Sequence, residues 1–238
     1  MPQGDIISLL IMATVAGLAM PAGAILATFK GVQPKWLEKE LRHGILALGA
    51  GALISAVGLV LVPEGIKDVS VFAAISCFVG GALAFMALDI YLAKKKTAGS
   101  QLAAMLSDFV PESIALGTTA ALGGGTMLLG ILIAVQNLPE GFNAYREMLP
   151  KNKRRSTKLI IIFILMALLG PLFSLLGFYY LAQFPVIMSG IMLFAAGGIL
   201  YSVFQDIAPQ IRMENHWLPP LGGILGFLVG MIGFMLEG

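Results

Sequence analysis

Two stretches of the chain place prolines and acidic residues inside long apolar runs: 107–117, which reads SDFVPESIALG, and 135–145, which reads VQNLPEGFNAY. Each stretch holds two oxygen-bearing side chains four positions apart, namely Asp108 with Glu112 and Gln136 with Glu140. Residues at this spacing share one face of a helix. We therefore expect each pair to project from a single face of its own helix.

A proline precedes the glutamate in both stretches. Pro111 and Pro139 lack the backbone N–H, so each leaves a carbonyl of the preceding turn, at Ser107 and Val135, without its helical partner and bends the helix there. Irregular backbone inside a bilayer is tolerated only against protein or a water-lined cavity. These stretches are therefore predicted to face the protein interior.

The surrounding composition is that of a membrane protein. Charged residues make up 12% of the 238 residues and apolar residues 58%, whereas about 25% charged residues is usual for a soluble domain. This balance excludes a soluble enzyme, a disordered chain and a nucleic-acid-binding protein. Cys77 is the only cysteine, which excludes a disulfide framework and Cys-x-x-Cys sites.

Hydropathy predicts an all-α integral membrane protein with one transmembrane domain over 1–238. A membrane helix needs about 20 mostly apolar residues, and eight stretches qualify. The predicted spans are 6–29, 43–62, 70–93, 101–121, 123–143, 157–180, 186–209 and 218–237. The first is interpreted as a retained span and not a cleaved signal peptide, because its start carries Asp5 and no basic residue.

The basic residues predict the orientation. Lys67 alone lies on one side of the predicted membrane, and the other fourteen follow spans 1, 3, 5 and 7: Lys30, Lys35, Lys39, Arg42, Lys94, Lys95, Lys96, Arg146, Lys151, Lys153, Arg154, Arg155, Lys158 and Arg212. Positively charged loops stay cytoplasmic. Both termini are therefore predicted outside the cytoplasm, in a multi-pass protein of the cell's inner or plasma membrane.

Acidic residues within the spans indicate a cation site. An ionised group near the bilayer centre costs about 2.5–3.5 kcal/mol, and no basic residue lies deep in a predicted span. Spans 4 and 5 are antiparallel and joined by a tight turn at 122–125. Asp108, Glu112, Gln136 and Glu140 can thus surround one point, with the oxygen donors that suit a divalent cation. The alternative is that these carboxyls are protonated and hydrogen-bonded to neighbours.

Other polar residues outline a candidate pathway for alternating access. Glu64 and Asp68 are placed at the outer entrance, although both also suit ordinary solvated helix ends. Asp206 and Gln210 are placed on the inner side, where an interfacial role for Asp206 is the alternative. Asn143 either assists release or makes a packing hydrogen bond. Asp89, one turn before Lys94, is interpreted as an interfacial residue, with a functional role as the alternative.

The chain also contains a weak internal repeat. Aligning Pro63 with Pro209 matches GALIS and VPEGI (51–55 and 62–66) to GGILY and APQIR (197–201 and 208–212). Spans 2 and 7 are the middle members of the triplets 1–3 and 6–8, which the charge rule inserts from opposite sides. Inverted repeats around a central site are typical of secondary transporters.

The ordered set of motifs resembles the ZIP (Zrt-/Irt-like) divalent metal transporters. The resemblance covers nearly the whole chain, through GLAMPAGAILA (17–27), the VPE of span 2, VPESIALG of span 4, QNLPEG of span 5, GPLFSLLG (170–177) and YSVFQDIAPQ of span 7. It implies eight helices in a 3+2+3 arrangement and a metal held between spans 4 and 5. It also implies net uptake into the cytoplasm and a homodimer.

The chain departs from the ZIP pattern at positions that affect which metal ion it would bind. Members of the family usually have histidine where Asp108 stands, and often where Gln136 stands. Of the positions that hold a second metal in many members, Phe109 and Gly170 cannot ligate, and only Asn137 can. We therefore expect one metal ion at an all-oxygen site, which favours Mn²⁺ or Fe²⁺ over zinc, with zinc and cadmium as alternatives.

The metal is expected as the transported substrate, with no cofactor and no enzymatic activity. An intramembrane enzyme is disfavoured because the chain has no HExxH motif and no evident pairing of a serine with a base. A ZIP-like protein that binds or senses a metal without transporting it is the remaining alternative.

Overall fold

A computed structural model of the chain describes residues 3–28, 35–95, 98–123, 126–149, 156–211 and 217–237. All regular structure in these ranges is helical, which confirms the all-α prediction. The α-helices are α1 (Gln3–Thr28), α2 (Lys35–Ala56), α3 (Val62–Gly65), α4 (Val71–Lys95), α5 (Ala98–Ala121), α6 (Thr126–Met148), α7 (Thr157–Ala167), α8 (Leu169–Tyr179), α9 (Pro185–Ser202), α10 (Ala208–Ile211) and α11 (Pro219–Glu237). A 3₁₀ turn covers Leu181–Gln183.

Six helical stretches in the described ranges are long and apolar enough to cross a membrane. They are Ile6–Thr28, His43–Gly65, Val71–Leu92, Thr157–Gln183, Pro185–Ile211 and Pro219–Leu236. The chain is therefore a multi-pass helical membrane protein. Predicted spans 4 and 5 coincide with α5 and α6, but the polar motifs lower their hydropathy and they are not among the six. Their crossing of the membrane stays a prediction.

One predicted span is interrupted, and the predicted tight turn after α5 is described as far as Gly123. The predicted span 157–180 is interrupted at Leu168, between α7 and α8, close to Pro171, whose missing N–H leaves the Ala167 carbonyl without a helical donor. The turn after α5 contains Gly123 in the left-handed region, with φ of 76°, a conformation that glycine adopts without strain.

Parts of the turn and charge predictions fall outside the described residues. These are Gly124 and Gly125 of the turn, and Lys30, Lys96, Lys151, Lys153, Arg154, Arg155 and Arg212 of the basic set. The orientation of the termini therefore stays a prediction.

The helices form two groups, called bundles here, that also pack on each other. In the first bundle α1 packs on α6, α7 and α8, and α5 packs on α8; in the second, α2 packs on α11 and α4 on α9. Across the division α2 packs on α6 and α5 on α9. Glycines let main chains touch within each bundle. A Cβ on Gly141 or Gly117 would collide with the main chain of Met20 or Ser174, and one on Gly81 with that of Phe194. At these glycines the main chains of neighbouring helices within a bundle are therefore in direct contact.

The internal sequence repeat corresponds to two π-helical segments in the structure. The first π segment is Val57–Leu61 and the second is Val203–Ile207, and each is followed two residues later by a proline. The two segments, like the two prolines, are 146 positions apart. In each segment the residue just beyond it donates its N–H to a carbonyl five positions back. The weak sequence repeat therefore corresponds to the same local backbone structure.

The two π segments differ in burial. Val57, Val60 and Leu61 of the first are buried. In the second only Val203 is buried, while Phe204 and Asp206 are exposed. The two equivalent segments therefore have different environments: the first is largely buried, and the second is largely exposed.

The close approach of α4 and α9 generates a stability prediction. We expect Gly81→Ala to lower the free energy of unfolding by about 1–3 kcal/mol, because its Cβ would overlap the Phe194 carbonyl of α9. Thermal unfolding in detergent measures the effect. Gly80→Ala is the control, since its Cβ has no neighbour within 4 Å. Equal melting temperatures for the two variants would contradict this account of the packing.

Candidate metal site between two proline-containing helices

A cavity of about 370 Å³ lies where the two bundles meet, lined by residues of α2, α4, α5, α6, α9 and the second π segment. It brings together six of the ten residues predicted for the site and pathway. These are Asp108, Gln136, Glu140, Asn143, Asp206 and Gln210. Helices α5 and α6 run uninterrupted through Pro111 and Pro139, so both motifs stay helical at the cavity.

Buried polar atoms without partners are concentrated at this point. Glu112 and Gln136 are only 2% and 1% exposed. Among the described residues, the buried side-chain atoms without a hydrogen-bond partner are Asp108 Oδ1, Glu112 Oε2, Gln136 Oε1, Gln136 Nε2 and Thr119 Oγ1. All but the last belong to the predicted ligands. Each unpartnered buried group costs about 1–3 kcal/mol, so these side chains require hydrogen-bond donors or a ligand that their protein neighbours do not supply.

The carboxyl groups of the site lie close enough to repel one another when they are ionised. Asp108 interacts electrostatically with Glu140 and with Asp206, and Glu112 interacts with Asp108 and with Glu140. Among the described residues, no lysine or arginine lines the cavity. Ionised carboxylates here would therefore have no described basic residue as countercharge at the cavity wall, and a cation would relieve their repulsion.

The ligand set is not assembled around one point. Within the part of the chain that the structure describes, no three His, Cys, Asp or Glu side chains are grouped closely enough to hold a metal ion. Glu112 is buried outside the cavity lining, whereas Asp108 and Glu140 line the cavity. Coordination by all four predicted ligands would therefore require side-chain or helix movement.

The positions of the second metal in ZIP proteins are filled differently. Phe109 is 1% exposed, and a Cβ on Gly170 would lie 2.8 Å from its Cζ atom and 2.9 Å from the Ala13 carbonyl oxygen. Asn137 donates its amide to the Ala16 carbonyl at 2.8 Å and does not line the cavity. In this structure Asn137 joins α6 to α1, and the space beside Gly170 holds an aromatic ring.

The outer candidates lie apart from the cavity. Glu64 forms an ion pair with Lys67 one turn later, and Asp68 is exposed. Neither lines the cavity, so the structure does not bring them to the other predicted residues.

Two acidic residues at the cavity were missed or interpreted otherwise. Asp89, interpreted as interfacial, lines the cavity and accepts a hydrogen bond from the Tyr201 hydroxyl at 3.3 Å. Glu147, which was not singled out, also lines it, and Asp206 interacts electrostatically with both. The signal for Glu147 was its spacing from Glu140 and Asn143, which places all three on one face of α6.

Comparison with models of known protein families and with curated proteins finds no match to this chain.

Neighbouring buried amides on α6 generate opposite stability predictions. We expect Gln136→Met to raise the free energy of unfolding of the metal-free protein by about 1 kcal/mol. It removes, at similar volume, two buried atoms without a well-formed hydrogen bond, since the contact of the Gln136 amide with Glu112 falls short of that geometry. Asn137→Leu should lower it by about 1 kcal/mol, because the hydrogen bond to Ala16 is lost. Thermal unfolding in chelator measures both. Destabilisation by Gln136→Met would show that the Gln136 amide has a structural role.

Proposed function

We propose that this chain is a ZIP-like carrier that moves a divalent metal cation toward the cytoplasm by alternating access. The eight predicted spans form its 3+2+3 arrangement, with α5 and α6 as spans 4 and 5. The ligands are Asp108, Glu112, Gln136 and Glu140. The cargo is Mn²⁺ or Fe²⁺, with Zn²⁺ and Cd²⁺ as the alternative ions.

The observation that carries the proposal is the set of buried, unpartnered oxygens on the facing motifs. Asp108, Glu112 and Gln136 each have a buried oxygen without a hydrogen-bond partner. Such oxygens suit a hard divalent cation, and a bound ion would supply the missing partner and countercharge together. A purely structural polar network would instead be expected to satisfy its own members.

The cavity supports an inward route. Its lining includes Asp89 and Glu147, near the ends of α4 and α6, and the positively charged connections follow these ends. By the charge rule that side is cytoplasmic. Asp206 and these two residues would attract a cation as it leaves the ligands, while Glu64 and Asp68 lie on the opposite side and would gather cations there.

The division into two bundles supports movement between them. The four ligands belong to α5 and α6 of the first bundle, whereas Asp89 and Asp206 belong to the second. Contacts across the division include side chains lying on glycines: the Pro139 ring lies against Gly49, and Leu132 lies against Gly230. Main chains touch within the bundles, so relative movement of whole bundles would disturb the structure less than movement inside either.

The chemistry of the pocket supports one hard ion. The proposed ligands contribute only oxygen, which favours Mn²⁺ or Fe²⁺ over softer metals. The Phe109 ring lies beside Gly170, so a second ion at that position would need the ring to move. We therefore propose a single metal per transport cycle.

Transport is tested by uptake into proteoliposomes. We expect saturable uptake of Mn²⁺ or Fe²⁺, and a decrease of at least tenfold in Glu140→Ala, because one of three carboxylates is lost. Zn²⁺, Cd²⁺ and Mg²⁺ are offered separately to rank the cargo. Gln183→Ala is the matched control, because Gln183 is exposed at a helix end and does not line the cavity.

Metal-dependent unfolding distinguishes a carrier from the alternative, a binding or sensing protein. A ligand at 100 times its dissociation constant stabilises the folded state by about 2.7 kcal/mol. Stabilisation by Mn²⁺ that is lost in Glu140→Ala, without flux of any ion from folded protein, would establish the binding protein and exclude transport. Absence of both stabilisation and flux would exclude the metal site itself.

Movement between bundles is tested at Gly49. We expect Gly49→Ala to lower uptake severalfold while leaving metal-dependent stabilisation intact, because its Cβ would lie 3.0 Å from Pro139 Cγ across the division. Gly44→Ala on the same helix is the control, since its Cβ has no neighbour within 4 Å. Unchanged uptake in Gly49→Ala would argue against relative movement of the two bundles at the contact between Gly49 and Pro139.

A further inference from the structure

One buried polar group lies outside the cavity lining and takes no part in the proposed ligand set. Thr119 of α5 is 3% exposed, and its hydroxyl oxygen has no hydrogen-bond partner. The other unpartnered buried side-chain atoms among the described residues belong to Asp108, Glu112 and Gln136. Thr119 therefore shares with these proposed ligands an oxygen whose hydrogen-bonding capacity is unmet.

The position of Thr119 on α5 places it in line with the two acidic residues of that helix. Thr119 follows Glu112 by seven residues, which is about 20° short of two full turns. Helix α5 is continuous over this stretch, so Asp108, Glu112 and Thr119 share one face. Thr119 lies about 10 Å beyond Glu112 along the helix axis, two residues before the helix ends at Ala121. By the charge rule this is the end predicted outside the cytoplasm.

The surroundings of Thr119 on this face are apolar. Between Glu112 and Thr119 the face carries Ala115, and the positions of α6 four and seven residues before its glutamine ligand are Leu132 and Leu129. All three of these side chains are buried. The Thr119 hydroxyl is therefore the polar group that this face of α5 offers between Glu112 and the outer end of the helix.

The preceding residue, Thr118, has a hydroxyl that is satisfied by its own helix. It donates to the Ile114 carbonyl at 3.0 Å and contacts the Met188 sulfur at 3.3 Å. A bond to the carbonyl four positions back is a common way for a threonine inside a helix to satisfy its hydroxyl. Thr119 does not make such a bond, so its oxygen is available to a ligand.

We propose that Thr119 is an outer contact for the transported cation, which its hydroxyl oxygen binds before the ion reaches Glu112. This inference rests on the proposed transport function and adds a residue to the outer half of the route. Glu112 is buried and does not line the cavity that holds Asp108 and Glu140. An ion arriving from outside would therefore meet Thr119 and Glu112 before the cavity.

A hydroxyl group has the chemistry that such a position requires. Its oxygen is a neutral acceptor with two lone pairs, so it can replace a water molecule around a hard cation. Because it carries no charge, it holds the ion less tightly than a carboxylate does. Passage of an ion requires contacts that are strong enough to admit it and weak enough to release it.

The Thr119→Val substitution isolates the hydroxyl, because valine keeps the shape of threonine. In the proteoliposome assay we expect Thr119→Val to raise the half-saturating Mn²⁺ concentration about fivefold, the usual magnitude for one lost polar contact. The maximal uptake rate should change little, since the remaining ligands are intact. Thr119→Ser keeps the hydroxyl and should stay close to wild type.

Thr118→Val is the matched control, because it removes a hydroxyl that already bonds to its own helix. We expect it to leave the half-saturating Mn²⁺ concentration unchanged. The proposal would be overturned by an unchanged half-saturating concentration in Thr119→Val, or by an equal increase in Thr118→Val. A fall in the maximal rate alone would also overturn it, because a structural defect lowers the number of working carriers and not their affinity.

Thiol labelling tests the contact without measuring uptake. In a Cys77→Ala background, which removes the only cysteine of the chain, we expect Thr119→Cys to react with a charged thiol reagent in detergent. Mn²⁺ should slow this reaction several-fold, because the bound ion covers the position. Ile207→Cys in the cavity lining is the positive control for the reagent. Thr118→Cys is the negative control, since Thr118 is 0% exposed.

The two assays separate failure of this proposal from failure of the transport proposal. Uptake by the wild-type protein, with a Thr119→Cys that does not react or whose reaction Mn²⁺ does not slow, would overturn the Thr119 contact and leave transport standing. A reaction slowed by Mn²⁺, without uptake by the wild-type protein, would remove transport and leave Thr119 as a contact in a metal-binding protein. Absence of both results would overturn both proposals.

Discussion

The packing of the described helices depends on three acidic residues placed inside an apolar protein. Asp108, Glu112 and Glu140 lie on two packed helices, and within the described residues no lysine or arginine lines the cavity beside Asp108 and Glu140. Groups of this kind are tolerated in a bilayer only when they face protein, water or an ion. The remaining helices surround α5 and α6 and keep the motifs away from lipid. Asp108 and Glu140 nevertheless remain open to the cavity between the bundles.

Backbone hydrogen bonding imposes a second constraint, and the chain meets it differently in each half. Prolines at equivalent positions follow π segments that interrupt the regular ladder. On one side the segment is surrounded by apolar side chains such as Val60 and Leu61. On the other only Val203 of the segment is buried, and Asp206 and Ile207 line the cavity. One backbone design thus serves a packed region and an open region, with different side chains at matching positions.

Hydropathy and i, i+4 spacing predicted the helical class and four cavity residues on α5 and α6, because both signals are local. The weak proline alignment also located two segments of matching structure. Local patterns could not show that Glu112 lies outside the cavity lining or that Asn137 bonds to Ala16, since both depend on how distant helices meet. The Asp89 environment was out of reach for the same reason: nearby Lys94 was visible in the sequence, whereas the hydrogen-bond partner Tyr201 is 112 positions away.

The contact between Phe109 and Gly170 limits how this pocket can diversify. A larger side chain at residue 170 would collide with the Phe109 ring, while a smaller one at residue 109 would leave a void that costs stability. Neither position can change first without a penalty. Two such residues are expected to be exchanged together, or in a background stable enough to tolerate the intermediate. The filling of this contact is therefore an epistatic trait, inherited as a pair and resistant to single substitutions.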